Sequence, residues 1–214
     1  MPTFLNSFYP LCYTKKGLEA VNRGLPPFVD GSIRREPDFE NEYPAITGLC
    51  RTNKLIPRLC KRDNVIYITN KGTYSGTRHW CLVAVLQVEE IVGSHYDTAN
   101  FYRERGLAYP QNLMIPETKR KPLEETHQDN RDFKHNGIID ADAWDRAYKW
   151  RANKYPLVAR CSIFQDYKFL FAPPIINEDT MYSIFGRIPG TQMPPELEPE
   201  EEIRFFDWLS HYKT

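Results

Sequence analysis

Apolar and polar positions along the chain predict a succession of short strands with few long helices. Phe8-Tyr9-Pro10-Leu11-Cys12-Tyr13 is short and aromatic and reads as a strand that Pro10 confines to an edge or an early position. Thr14 is placed to cap a helix in which Leu18, Val21 and Leu25 recur at helical spacing, with Gly24 and Pro26-Pro27 as its stop. Residues 30–40 mix turn formers and charges around one aromatic and read as a loop. Ala45 to Cys50 fits a second strand, and Pro57 argues against a long helix from Lys54 to Leu59. Val65-Ile66-Tyr67-Ile68-Thr69 is the clearest strand, bounded by turns at Arg62-Asp63-Asn64 and Asn70-Lys71-Gly72. His79 to Val88 is almost continuously apolar and predicts a buried central strand, paired with the preceding one as a hairpin across Lys71 to Arg78.

Beyond it, Asn100 to His135 is polar and punctuated by Pro110, Pro116 and Pro122, which predicts an irregular excursion. Whether that excursion belongs to a binding pocket or only decorates the fold is open at this level. Asp140 is placed to cap a helix carrying Trp144, Ala147, Tyr148 and Arg151 on one face; strand character returns at Pro156 to Phe164 and again at Lys168 to Ala172. The tail, about 196–212, sets Glu196, Glu198, Glu200, Glu201 and Glu202 ahead of Ile203, Phe205, Phe206, Trp208 and Leu209, with His211 and Lys213 last. That is the charge order a helix dipole favours. No repeat is visible, and the strand and helix alternation of a parallel doubly wound fold is missing. The pattern describes an α+β domain around a mixed or antiparallel sheet, curled into a small barrel with flanking helices.

Composition narrows this further. The chain has 214 residues, 28 basic against 28 acidic, with 41% hydrophobic and 14% aromatic residues, enough for one self-sufficient domain spanning 1–214. Zero net charge argues against bulk polyanion binding. The longest apolar run, Cys81 to Leu86, is far short of the roughly 20 residues that span a bilayer, and Met1 to Tyr13 lacks a basic start followed by an apolar stretch. Cys12, Cys50, Cys60, Cys81 and Cys161 are an odd number with no CxxC pair. Together these fit a reduced, cytoplasmic protein with no membrane partner.

Most enzymatic signatures are absent: there is no Walker loop, no GxGxxG, no GxSxG elbow, and neither half of a zinc deaminase motif. Pro37-Asp38 and Glu117-Thr118-Lys119 spell fragments of a PD...ExK nuclease pattern, but Glu117 follows Pro116 in a basic segment, not an apolar strand. His127 and His135, with Asp129 and Asp132 between them, are spaced too widely for a compact metal site and read as a solvated loop. No metal and no cofactor is expected. Cys12, Cys50 or Cys161 could act as nucleophiles only with a His close by, and the core reading is simpler.

Local charge stands out instead. Between Arg51 and Arg78 the chain holds seven basic residues (Arg51, Lys54, Arg58, Lys61, Arg62, Lys71, Arg78) and one acidic one, Asp63, a local balance of +6. Tyr67, Tyr74, His79 and Trp80 lie in or beside it, the mixture of cations and stacking faces that nucleic-acid binding uses; a solvated face on two ordinary strands would look the same. The acidic tail can offset this charge by packing near it, or simply cap a helix.

Asp38-Phe39, Gly48-Leu49-Cys50, Lys54, Ile56-Pro57-Arg58, Arg62-Asp63-Asn64-Val65 and Tyr67-Ile68-Thr69-Asn70 resemble the opening half of the nucleotide-modification-associated domains. Those belong to the PUA-like group with the EVE, ASCH and YTH domains. The resemblance covers about the first half of the chain, with one departure: Arg62-Asp63 stands where Gly-Asp is usual. It implies a small curled β-barrel with flanking helices whose cleft takes a single nucleobase, often modified, displaced from its strand. Such a base needs aromatic faces, hydrogen bonds to its edge and cations outside for the phosphates. The candidates are Asp38 and Phe39, Arg51 and Lys54, Thr69 and Lys71, with Tyr74 and Trp80 as stackers. Phe39 and Trp80 equally suit a core, Thr69 the end of a strand and Asp38 a turn. Trp144 and Tyr148, at helical spacing, suit packing.

Three functions remain open. One is a non-enzymatic domain that recognises a modified or flipped base in DNA or RNA, or a free nucleotide, in nucleic-acid modification or antiphage defence. Another is an enzyme acting on a nucleotide or nucleobase, with Asp38, His79 and Cys50 as first suspects. The third is an interaction module that binds a protein partner through its C-terminal acidic and aromatic helix.

Overall fold

The order of the strands in the sheet does not follow the order of the chain. In the computed structural model, which describes residues 1–49, 54–133, 140–190 and 193–212, and of Asn130 and Asp132 the backbone alone, β1 (Thr3–Phe8) lies parallel to β3 (Asn64–Thr69). β3 pairs antiparallel with β5 (Thr77–Val92), β5 with β6 (Val158–Lys168), and β6 with β2 (Ala45–Thr47). The sheet order is therefore β1-β3-β5-β6-β2, with β4 (Gly72–Tyr74) and β7 (Ile175–Ile176) added to β5. Around it stand α1 (Lys15–Val21), α2 (His95–Glu104), α3 (Ala141–Lys154), α4 (Glu178–Phe185) and α5 (Pro199–Ser210). This is the α+β class, a mixed curled sheet with flanking helices.

Period-two alternation sorts the sheet's side chains. Phe4 and Phe8 of β1 and Val65 and Tyr67 of β3 join Phe39, Ile46, Leu55, Ile56 and Cys161 on the inner face. Leu5, Ile66, Ile68, Trp80, Leu82 and Val85 turn to the other face, where Met181, Ile184 and Phe185 of α4 and Phe205 and Leu209 of α5 cover them. A third cluster ties α3, through Ala141, Tyr148 and Ala152, to Ile33, Leu49, Met114 and Phe133. Asn6 falls between Phe4 and Phe8 on the inner face, a polar side chain in an apolar row.

Several expectations shift. The first strand is Thr3–Phe8, not the aromatic run after it; Pro10, which has no N–H for a ladder, leads into a 3-10 turn at Leu11–Tyr13. Thr14 caps α1 as expected, accepting from Gly17 N at 3.1 Å, but the helix ends at Val21 and leaves Leu18 exposed. The hairpin of β3 and β5 is present, and β5 is longer than its apolar run. α2 begins inside the region just before the polar excursion, and α4 follows β7; neither stood out, because α2 buries His95, Thr98, Ala99 and Tyr102 rather than an aliphatic stripe. Asp140 caps α3 by accepting from Ala143 N. The second strand expected at Lys168 to Ala172 is the end of β6 followed by bends.

Arg62 adopts φ 77°, the left-handed conformation that glycine takes freely, at the position where the resemblance expects glycine. Asp63 keeps its turn role: Cys60 N donates to its Oδ2 at 2.7 Å. The outer edge of β1 is covered by the segment before α5. Leu5 N donates to Pro195 O at 2.9 Å and Leu197 N to Thr3 O at 2.8 Å, bridging Phe4 to Glu196.

Residues 22–44 form no helix or strand, yet they carry buried charge. Arg34, Arg35, Glu36 and Asp38 are all buried. Arg34 Nε and Nη2 donate to the two Asp145 carboxylate oxygens at 2.6 and 2.8 Å. Arg35 donates through Nη2 to Glu125 O at 2.7 Å and through Nη1 to the Asp30 and Ser32 carbonyls. These bonds do for the loop what ladder bonds do for a strand.

Candidate functional site

β1 and β2 are opposite edges of the sheet, but both line one cavity. The sheet therefore curls until the edges face each other across a space of about 460 Å³. That lies within the roughly 300–1,000 Å³ usual for small-ligand sites. Its aromatic faces are Phe8, Tyr9, Tyr67 and Tyr148, its aliphatic ones Ile46, Leu55 and Ile56. Polar groups come from Asn6 and Ser7 on β1, Asp30, Ser32 and Glu36 on the loop, Thr47 on β2, Lys54, and His127-Gln128. The polar excursion thus belongs to the pocket through these last two. His127 N donates to Gly31 O at 2.9 Å, Ile33 N donates to Gln128 Oε1 at 3.1 Å, and Lys16 Nζ donates to Gln128 O. A Cβ on Gly31 would stand 2.1 Å from His127 Nδ1, so any side chain there would push the His127 ring from its place.

Glu36 is the centre of the polar wall. Its Oε1 accepts from Thr47 N at 2.8 Å; its Oε2 accepts from Asn112 Nδ2 at 2.8 Å and from the Thr47 hydroxyl. Burial pushes its carboxyl up to about 7, against the pull of those three donors and with a smaller push from Asp30. Asn112 is itself anchored, donating to Ala45 O at 2.7 Å. Asp30 accepts from Ser32 N at 3.0 Å and from the Ser32 hydroxyl. Asn6 Oδ1 is buried with no hydrogen-bond partner. At the mouth, Tyr9 is half exposed with its ring 4.7 Å from that of Tyr13, and Lys54 is exposed.

Of the residues singled out in the sequence, Lys54 lines the cavity. Phe39 stands behind it, its ring 5.2 Å from those of Phe8 and Tyr67, both of which line it. Asp38 lies outside the lining; its carboxylate accepts from Gln111 N at 2.9 Å and Glu40 N at 3.2 Å, and burial raises its pKa. The other four gather on the far side of the sheet or at its hairpin. Thr69 is buried and accepts from Cys81 N at 2.9 Å, while Tyr74 donates to Asn70 O at 2.8 Å and packs on Phe28. Trp80 is part of the core under α4, with Lys71 Nζ 4.7 Å from its ring centroid and paired to Glu178. His79 sits on the β4–β5 hairpin beside Thr77, where burial lowers its pKa. Cys50, Arg51, His135 and Lys213 lie outside the described residues.

Among the described residues the basic segment is distributed: Lys54 lines the cavity, Lys71 pairs with Glu178 and Arg58 lies toward the acidic tail. Arg58 lies 3.9 Å from Glu196 at the start of the acidic tail and packs on Phe4, so part of that charge is offset as the sequence allowed. On α5, Phe205 and Leu209 are consumed by the core. Among the described residues no group of three or more His, Cys, Asp or Glu is placed to hold a metal, and no helix is long and apolar enough to cross a membrane. Asn6, Asp30, Glu36, Thr47 and Tyr148 were not singled out as site residues from sequence, and Tyr67 was noted only as one of the aromatics beside the basic run.

No protein-family model and no curated protein matches the chain. Among solved structures it is similar to the crystal structure of ASCH from Zymomonas mobilis, at 10% identity over 96% of this chain and 94% of that one, with a TM-score of 0.41. It is also similar to two mutant forms of that protein: one at 11% identity over 97% and 99% of the chains with TM-score 0.42, the other at 10% over 96% of each with TM-score 0.38.

Proposed function

We propose that the cavity between the two sheet edges takes a single nucleobase presented from DNA or RNA, in the manner of a modified-base reader. The observation that carries this reading is the lining: four aromatic rings and a wall of hydrogen-bonding groups around a space the size of a small-ligand site, with its lysine at the mouth. A base out of its stack requires those faces and edges inside, and its phosphates remain where Lys54 can reach them. A setting in nucleic-acid modification or antiphage defence agrees with the resemblance.

Binding of short single-stranded and duplex DNA and RNA, with and without modified bases, at two salt concentrations tests this. Tyr9→Ala, a change at an exposed ring, is expected to weaken binding roughly 5- to 150-fold, the worth of one lost stacking face. Lys54→Glu is expected to weaken binding and flatten its salt dependence by about one unit of log–log slope or more. Absence of binding to every nucleic acid at low salt, with folded protein, rejects the reading.

One observation favours a second reading, catalysis on the bound base. Glu36 is a cavity carboxyl with a pKa of about 7, the value suited to passing protons at neutral pH. In that case Glu36→Gln abolishes product formation while binding persists, as followed by mass analysis of the oligonucleotide. If no product forms with the unaltered protein on any base, the catalytic reading is rejected.

A further inference from the structure

The chain reverses just after β1, and the reversal leaves two aromatic rings outside the core. Pro10 ends the strand, and the 3-10 turn Leu11–Tyr13 sinks Leu11 beside Ala20 and Val29 while Tyr13 turns outward. The backbone there is pinned. Gly31 N donates to Tyr9 O, Tyr13 N to Pro10 O and Cys12 N to Pro27 O, each at 3.0 Å. Thr14 Oγ1 donates to His127 O at 3.1 Å, which ties the turn to the cavity wall. Yet the side chains stay open: Tyr9 is 50% and Tyr13 42% exposed, and they meet edge to face with 4.7 Å between ring centres. Rings carried on an ordered backbone offer a stacking face at little cost in ordering.

The two rings belong to different places. Tyr9 lines the cavity, its ring 6.3 Å from that of His127, another lining residue, whereas Tyr13 stands outside the lining. Their planes are 61° apart, so one base cannot lie flat on both. Resting on the reading of the cavity as a base pocket, we propose that Tyr13 is a second stacking site, which takes the base next to the displaced one on the same strand. The protein then holds two adjacent nucleotides, one inside the cavity and one at its rim. Because the rings touch, the bases that cover them are neighbours, and the strand bends where it enters. Every base has a π face, so the outer site adds affinity without adding sequence choice. It also acts apart from Lys54, whose contribution is to the phosphates.

The test builds the ligand one base at a time on the unaltered protein. The probe is a short single strand, DNA or RNA, abasic at every position but one, which carries the base that binds best; affinity is read by fluorescence anisotropy. A second base, of the kind that binds worst alone, is then placed on either side of the first. On at least one side it is expected to tighten binding about 5- to 150-fold, the worth of one stacked base. In Tyr13→Ala that gain is expected to fall below about threefold, and in Tyr13→Phe, which keeps the ring, to persist. The one-base strand is expected to bind both variants as it binds the unaltered protein, and the salt dependence to keep its slope, since no charge is removed. A gain below about threefold on both sides in the unaltered protein, or one that survives in Tyr13→Ala, overturns the inference and leaves the base reading standing. If no single base raises affinity above that of the wholly abasic strand, the base reading fails and this inference with it.

Discussion

Asp145→Ala is expected to destabilise the protein by about 3–5 kcal/mol, because it strands a buried arginine. The Arg34 side chain is 1% exposed, and its guanidinium meets Asp145 through two parallel bonds at 2.6 and 2.8 Å. Its remaining contacts, Gln111 O at 3.2 Å and Thr118 Oγ1 at 3.4 Å, are neutral and long and leave its charge uncompensated. The urea midpoint of the variant measures the loss. A double variant, Arg34→Met with Asp145→Leu, is expected to regain most of it, since removing both charges removes the desolvation cost they share. A fall below 1 kcal/mol in the single variant would show that water reaches the guanidinium. The pair also fixes the pocket: Arg34 is two residues from Glu36, and Asp145 three residues from Tyr148 on α3. Loss of binding should therefore accompany loss of stability.

Glu36 supplies the other large effect, through pH. Its carboxyl titrates at about 7 in the folded protein against an ordinary value of 4.5, so between those values the native state holds a proton the unfolded chain has released. The stability this group contributes is fully present below pH 4.5 and is lost as pH rises through 7, a fall of about 3 kcal/mol. Glu36→Gln cannot titrate and is expected to lack that fall. The difference in unfolding free energy between the unaltered protein and the variant, measured in urea at pH 4.5, 6 and 8, should shrink or reverse by that amount. A constant difference across the range would mean that Glu36 ionises normally. Asp38, also raised by burial, is present in both proteins and cancels in the comparison.

What the chain reveals on reading follows from how local each signal is. Val65 to Thr69 and His79 to Val88 announce themselves because β-branched and apolar side chains crowd there, and both are central strands. Thr14 and Asp140 are legible as caps because a cap is a bond to the third residue onward. The pocket has no such locality. It gathers Asn6, Glu36, Thr47, Lys54, Tyr67, His127 and Tyr148 from separate segments, and only the curl of the sheet brings them together. Arg34-Arg35-Glu36-Pro37-Asp38 looks like a solvated turn because four of its five residues are charged, and it proves to be interior because each charge has its partner within the fold or faces the cavity. Trp80 illustrates the converse. A tryptophan beside a basic run suggests a stacking face, but the strand's alternation turns it toward α4. The informative sign was Asn6, one polar residue in the row Phe4, Asn6, Phe8.

The strap formed by Pro195 to Leu197 has a bearing on solubility. Without it, β1 would present a flat row of free N–H and C=O groups flanked by Phe4 and Leu5, the kind of rim on which a second chain can template itself. Pro194 and Pro195 lead into that rim with a segment that cannot continue as a regular strand, so the pairing stays short. The Leu5 N–H and the Thr3 carbonyl that a second chain would pair with are already taken.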